Sequence, residues 1–199
     1  MATLLYITAD ANPNSRTCQI SNTFVQSYQS SHPQDAVATL DLYKEDIGFI
    51  AKADLQALHQ PQQNGAPIHP ALQYAQQFAS ADKIVVAAPF WNLSFPAILK
   101  AYIDYVSIPG VTFSYTPNGS VGLCHAQNTM YIVARGGYYS RPPALAYDLA
   151  TPYLKTIFSF FGIHRFGSVY AEGLDIAGAD TELLMQNAIK KASTFAQTF

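Results

Sequence analysis

Short, continuously apolar runs alternate with segments of helical periodicity along most of this chain. Five of these runs are rich in β-branched residues, at positions 3–8, 36–40, 83–88, 129–134 and 167–171. Strands of this kind are buried on both faces, as in a parallel sheet that is covered by helices. The alternation therefore predicts an α/β fold, with a doubly wound five-stranded parallel sheet flanked by helices.

Apolar stripes with helical spacing lie between the predicted strands. In each stripe the apolar residues recur three or four positions apart, so that one face of the helix can pack on a sheet. Gly162 follows one stripe as a predicted helix stop. The stripes are Ile20, Phe24 and Tyr28; Leu72, Ala75 and Phe78; Leu99, Tyr102, Ile103 and Val106; Tyr153, Ile157, Phe160 and Phe161; and residues 183–195.

Two segments depart from this alternation. Residues 111–115 read as a strand that enters a hairpin turn at Pro117-Asn-Gly119, and we expect this excursion to leave the carboxyl edge of the sheet. Residues 60–67 are rich in glutamine and proline and are predicted to form a mobile loop.

Length and charge restrict the class of protein further. The chain has 199 residues, of which 49% are hydrophobic, and we expect one domain over residues 1–199. The net charge is −2 and no basic block is longer than Lys190-Lys191, which argues against nucleic-acid and anionic-membrane partners. No basic segment precedes the first apolar run, and no run is long enough to span a bilayer, so we expect a cytoplasmic protein. Cys18 and Cys124 are predicted to be free thiols.

Ligands of open α/β sheets bind outside the carboxyl ends of the strands, where the strand order reverses. The loop at residues 9–17 leaves the first strand and enters a helix with Ser15 as the predicted N-cap. The hydroxyls of Ser15 and Thr17, the guanidinium of Arg16 and free backbone N–H groups would together suit a phosphate. Ordinary helix capping is the competing interpretation of the same residues.

Two more loops follow predicted strands. Residues 89–94 carry the only tryptophan of the chain, and a flat apolar ligand could lie on Phe90 and Trp91 while the Asn92 amide meets its polar rim. The same two rings could instead close the end of the sheet. In the third loop, the glycines of Arg135-Gly-Gly137 would allow a ligand to approach the backbone closely, although a plain turn also uses glycine.

Several other sites are excluded by their missing motifs. No Gly-x-Gly-x-x-Gly follows a strand and no Gly-Lys pair occurs, which excludes the usual dinucleotide fingerprint and a P-loop. A Gly-x-Ser-x-Gly elbow is also missing. The five histidines are scattered without the spacing of metal ligands.

At these same loops the sequence resembles the FMN-dependent NADH-azoreductases, a flavodoxin-like family of homodimeric quinone and azo-compound reductases. The most specific segment is residues 83–104, which is similar to the family's strand, flavin-binding loop and following helix. The resemblance continues at 111–123, Arg135-Gly-Gly137, Thr151-Pro-Tyr-Leu154, Phe161-Gly-Ile163 and Ala171-Glu-Gly173. The chain departs from the family's usual residues at Ala9, Arg16, Phe90-Trp91 and Ala134.

The resemblance implies a role for each loop. It assigns the FMN phosphate to Ser15, Arg16 and Thr17, and the pyrimidine edge of the ring system to Ala134, Arg135, Gly136 and Gly137. The isoalloxazine would be bordered by Pro89, Phe90, Trp91, Asn92 and Leu93, and the substrate by Trp91, Asn92, Tyr115 and Phe161. No catalytic side chain is implied, because the flavin performs the chemistry.

The implied activity is two-electron transfer from NADH or NADPH, through non-covalently bound FMN, to quinones or azo compounds in a ping-pong cycle. The resemblance also implies a homodimer in which the active sites lie at the interface and aromatic residues of one subunit wall the pocket of the other. Two other functions stay open at this point: a one-electron carrier of the flavodoxin type and a non-enzymatic flavin-binding module.

Overall fold

The computed structural model describes residues 1–52 and 69–199, so the loop predicted at 60–67 lies outside the described residues. The main sheet is formed by β1 (Thr3–Thr8), β2 (Ala36–Asp41), β3 (Lys83–Ala87), β6 (Asn128–Ala134) and β7 (Arg165–Ala171). The helices are α1 (Arg16–Ser31), α2 (Pro70–Ser80), α3 (Ala97–Val106), α4 (Ala150–Phe160) and α5 (Thr181–Ala196). A hairpin of β4 (Phe113–Thr116) and β5 (Gly119–Gly122) is inserted before β6.

The main sheet has the strand order β2-β1-β3-β6-β7, and every neighbouring pair is parallel. The predicted doubly wound, five-stranded parallel sheet is therefore confirmed. The chain moves from β1 to β2 on one side and then to β3 on the other side, so the strand order reverses between β1 and β3. A crevice at the carboxyl ends of these two strands is where such folds bind ligands.

Successive side chains of each strand point to opposite faces, and each face has its own core. Leu5 and Ile7 pack with residues of α2, α3 and α4, whereas Leu4 and Tyr6 pack with residues of α1 and α5. The apolar stripes read from the sequence supply these contacts. Within residues 1–52 and 69–199, none of the helices has the combination of length and hydropathy that a membrane crossing needs.

The β4–β5 hairpin lies at the opposite end of the sheet from the one we expected. It follows the carboxyl end of α3 and precedes the first residue of β6, which places it at the amino edge of a parallel sheet. The Cys124 N–H donates to the carbonyl of Phe161 at 3.1 Å, fixing the end of the hairpin to the end of α4. The expectation of an excursion from the carboxyl edge was therefore wrong.

The aromatic residues at the end of α4 are divided between the core and the hairpin contact. Phe158 and Phe161 are buried in the core, where both rings pack on Phe78. Phe160 is half-buried against Phe113 of the hairpin, with ring centroids 4.7 Å apart. In contrast, Tyr115 is 73% exposed. Of these aromatic residues, Tyr115 is therefore the one that is largely exposed, and it lies on the hairpin rather than on α4.

Candidate active site

Three loops meet at the carboxyl ends of β1, β3 and β6 and enclose a shallow cavity of about 200 Å³. Most of the residues predicted to bind a cofactor line this cavity together. They are joined by Leu174 and Asp175, from the loop after β7, which sequence reasoning missed. The predicted residues that line it are Ser15, Arg16, Thr17, Pro89, Phe90, Trp91, Ala134, Arg135 and Gly136.

The first turn of α1 presents free backbone donors to this cavity. Ser15 is the N-cap, as predicted, and its hydroxyl accepts from the Cys18 N–H at 3.0 Å. The same hydroxyl donates to Asp10, so its proton is engaged inside the loop. The backbone N–H groups of Arg16 and Thr17 have no acceptor in residues 1–52 and 69–199, as expected for the first turn of a helix. An anion at this point would meet these donors and the positive end of the helix dipole.

Thr17 and Arg16 differ in what their side chains do. Thr17 is buried, and its hydroxyl accepts from the Ala134 N–H at 3.1 Å, joining α1 to the end of β6. Arg16 is exposed and its Nη1 lies 2.8 Å from Oδ1 of Asp175. Since the side chains of both partners are at least 44% exposed, this ion pair is worth little on its own. Its guanidinium is available to an anion in the cavity.

The second loop turns sharply after β3. The N–H groups of Trp91 and Ser94 each donate to the other residue's carbonyl at 2.9 Å, and the two residues between them, Asn92 and Leu93, have φ values of +49° and +68°. Non-glycine residues seldom adopt such angles, and when they do they mark turns and functional loops. The turn leaves the Trp91 side chain 45% exposed at the cavity, and the Asn92 and Leu93 side chains point toward solvent beside it.

The third loop offers two more free donors. The backbone N–H groups of Gly136 and Gly137 find no acceptor in the part of the chain that the structure describes. A Cβ atom on Gly136 would meet the exposed Asp175 carboxylate, which would have to move aside to accommodate it. Gly137 stands against the Tyr139 ring rather than at the cavity wall.

Arg135 borders the cavity, but its side chain turns away from it. Its side chain is 0% exposed and extends into the protein, where it pairs with Asp148 and Glu172. Its backbone N–H is also engaged, donating to Ala171 at 2.8 Å. Direct contact between the Arg135 side chain and a cofactor is thus ruled out by its burial.

Two predicted substrate residues do not lie at the carboxyl edge of the sheet, where the cavity is. Phe161 is fully buried at the end of α4, and Tyr115 lies on the hairpin at the amino edge of the sheet. Phe161 offers no surface to a substrate, so its predicted contact has no support in its position. Tyr115 is exposed there and does not line the cavity between the three loops.

Both cysteines are free, as predicted. Burial raises the pKa of the Cys18 thiol, and it raises the pKa of the Cys124 thiol to about 12. Thiols with raised pKa values are poor nucleophiles at neutral pH. Within residues 1–52 and 69–199, no three His, Cys, Asp or Glu side chains converge as a metal site. Neither thiol lines the cavity between the three loops.

Comparison with known proteins gives consistent matches over the full length of the chain. A family model described as the flavodoxin-like fold matches residues 2–195. An FMN-dependent NADH:quinone oxidoreductase 2 of Clostridium acetobutylicum is 50% identical over 201 residues, covering 100% of both chains. The FMN-dependent NADH:quinone oxidoreductase of Caldicellulosiruptor saccharolyticus is 46% identical with the same coverage.

Solved structures show the same similarity. The azoreductase of Bacillus anthracis superposes with a TM-score of 0.90 at 32% identity, covering 100% of both chains. An FMN-dependent NADH-azoreductase of the same organism, crystallised in complex with FMN, has a TM-score of 0.88 at 29% identity, covering 100% of this chain and 99% of that one.

Proposed function

This chain belongs to the flavodoxin-like family that includes FMN-dependent NADH:quinone oxidoreductases and azoreductases, and we propose that it holds FMN non-covalently in the three-loop cavity. The observation that carries this proposal is the presence of free backbone N–H donors on two of the loops that line the cavity. Arg16 and Thr17 supply them on one loop, and Gly136 supplies one on the other. One set suits a phosphate and the other the polar edge of a flat ring. The exposed Trp91 supplies an apolar surface at the same cavity.

When bound, FMN would supply two-electron chemistry, with NADH or NADPH as the donor and a quinone or azo compound as the acceptor in a ping-pong cycle. The residues of the chain hold and orient it. The N–H group of Gly136 would stabilise negative charge at the pyrimidine edge of the ring. Trp91 and Asn92 would border the open face where planar substrates stack, and protons would come from solvent. A reductase that takes electrons from dissolved NADH or NADPH would act in the cytoplasm.

Arg16→Ala is expected to weaken FMN binding about tenfold and riboflavin binding much less, because a charge-assisted hydrogen bond to phosphate contributes about 1.5–3 kcal/mol and Arg16 is partly exposed. Titration of the flavin-free protein with each flavin, followed by fluorescence, measures both affinities. Lys190→Ala, an exposed cation on α5, is the matched control and should change neither.

Asp175→Asn completes this test, since it frees Arg16 from its ion pair and should leave FMN affinity equal or higher. Equal losses of FMN and riboflavin in Arg16→Ala would contradict a phosphate contact. Retention of FAD in preference to FMN by the wild-type protein would contradict the assignment of the cofactor.

We also propose that two copies of this chain form a dimer over the cavity. Exposed apolar side chains, here called the rim cluster, lie on the 89–94 loop and on residues 145–149, and the Leu149 N–H joins the two segments by donating to the Leu93 carbonyl at 3.0 Å. Clustered exposed apolar residues of this kind are typical of subunit interfaces. The rim cluster consists of Trp91, Leu93, Leu145, Tyr147 and Leu149, exposed by 45%, 37%, 50%, 57% and 56%.

Leu149→Asp is expected to shift the protein from dimer to monomer and to lower its reductase activity, because a carboxylate would be buried in an apolar interface. Sedimentation velocity over a dilution series measures the dimer constant, and specific activity should follow it. Leu183→Asp, at a comparably exposed leucine on α5, is the control that should remain dimeric. A wild-type monomer with full activity would refute the shared site.

A further inference from the structure

Arg135 is the most enclosed charged group near the active site. Its side chain is 0% exposed, and the guanidinium contacts two rings, 4.9 Å from the centroid of Phe90 and 4.2 Å from that of Tyr170. Its Nη2 is 2.9 Å from Asp148 and donates to the Thr151 hydroxyl at 2.7 Å, and its Nη1 donates to Glu172 at 3.2 Å. The planar guanidinium therefore connects strands and loops that are far apart in sequence.

Each partner of Arg135 fixes a segment that borders the cavity. Phe90 belongs to the 89–94 loop, and its ring packs on Tyr139 with centroids 4.6 Å apart. Glu172 accepts from the Tyr139 N–H at 2.9 Å and the Ser140 N–H at 3.0 Å, which fixes the loop that follows Gly136 and Gly137.

Asp148 fixes the third segment. It accepts from the Thr151 N–H at 3.0 Å at the start of α4, and the adjacent Leu149 N–H bonds to the Leu93 carbonyl. The segment that carries the rim cluster and the sharp turn after Trp91 are therefore linked to Arg135 through one carboxylate. Among residues 1–52 and 69–199, no hydrogen bond or ion pair of the Arg135 side chain reaches the first turn of α1, where the phosphate donors are.

The charge of Arg135 is compensated within its own surroundings. Two carboxylates face the single cation, and the guanidinium has no exposed surface that a ligand could touch. Arg135 can therefore act on a flavin only through the residues it holds. Lysine cannot replace it there, because an ammonium group does not present donors in one fixed plane to two carboxylates and a hydroxyl, or stack on aromatic rings as a planar group does.

We propose that Arg135 is a positioning residue that sets the geometry of the ring half of the flavin site and leaves the phosphate half unaffected. This inference rests on the proposed binding of FMN. Its prediction differs from the one for Arg16. Substitution of Arg135 should weaken the binding of FMN and of riboflavin by the same factor, whereas substitution of Arg16 should weaken FMN binding much more than riboflavin binding.

Arg135→Lys tests the proposal in both the flavin-free and the flavin-bound protein. Trp91 is the only tryptophan, so its fluorescence in the flavin-free protein reports on the 89–94 loop alone. We expect quenching of Trp91 by acrylamide to rise about twofold and the visible circular dichroism of bound FMN to change. FMN and riboflavin should both bind roughly tenfold more weakly, with their ratio unchanged, and kcat should fall about 10- to 100-fold because the ring is misplaced.

Arg165→Lys is the matched control, since Arg165 is exposed at the amino end of β7, and it should leave each of these signals unchanged. Tyr170→Leu is a second variant in case Arg135→Lys does not fold, because it removes one ring from the guanidinium and keeps every ion pair. It should change Trp91 quenching in the same direction.

Two results would overturn the inference. One is unchanged Trp91 quenching and an unchanged flavin spectrum despite a lower melting temperature, which would make Arg135 a stabilising residue only. The other is a change in the ratio of FMN to riboflavin affinity. Failure of the wild-type protein to bind either flavin would instead refute the proposed function, and Trp91 quenching in the flavin-free variants would still decide whether Arg135 positions the loop.

Discussion

Arg135→Met is expected to lower the free energy of unfolding by about 3–5 kcal/mol, because it leaves two largely buried carboxylates without the cation that they share. The side chains of Asp148 and Glu172 are only 5% and 11% exposed, so water cannot take over the role of the guanidinium. A loss of this size is a large part of the total stability of a domain.

Urea unfolding followed by far-UV circular dichroism measures this loss. Arg165→Met, at an exposed arginine, should change the free energy of unfolding by less than about 0.5 kcal/mol. Neutralising both carboxylates in the triple variant Arg135→Met, Asp148→Asn, Glu172→Gln should recover part of the stability. Equal unfolding curves for Arg135→Met and Arg165→Met would show that the ion pairs of Arg135 do not stabilise the fold.

Gly122→Ala is expected to lower the free energy of unfolding by at least about 1–3 kcal/mol. The new methyl group would overlap the backbone of the chain rather than a side chain that can move aside. A Cβ atom at position 122 would collide with the amide nitrogen of Gly162 and the carbonyl carbon of Phe161. The β4–β5 hairpin would have to move away from the end of α4, weakening the hydrogen bond from Cys124 to Phe161.

Thermal unfolding of the variant, compared with Gly48→Ala, measures this effect. An added Cβ on Gly48 meets nothing within 4 Å, so the control substitution should be nearly neutral. A melting temperature for Gly122→Ala equal to that of the control would show that the hairpin and α4 do not depend on this close backbone contact.

The fold could be predicted because its signals are local. Continuous apolar strands and helical stripes repeat along the chain, and the observed strands begin and end within two residues of the predicted ones. The N-cap role of Ser15 and the stop at Gly162, which has a φ of +93°, follow from residue chemistry alone. The position of the hairpin was predicted wrongly because turn residues show that a hairpin forms but not against which end of the sheet it packs.

The site was predictable in outline because the carboxyl ends of parallel strands all lie at the same edge of the sheet, which brings the loops that follow them close together. What the sequence did not show is which polar groups the fold itself would use. The hydroxyl of Thr17 holds β6, and the guanidinium of Arg135 extends away from the cavity toward two carboxylates that are distant in sequence. Asp175 was missed for the same reason, as its contact with Arg16 spans 159 positions.

The family membership and the donor groups at the cavity together lead to one central claim, that FMN held here carries electrons from reduced nicotinamide to a quinone. Anaerobic addition of NADH to the FMN-loaded protein, with the visible flavin absorbance recorded before and after a quinone is added, tests it most directly. We predict that one equivalent of NADH bleaches the flavin band and that one equivalent of quinone restores it. A flavin band that NADH leaves unchanged, as expected of a one-electron carrier or a binding module, would contradict the claim.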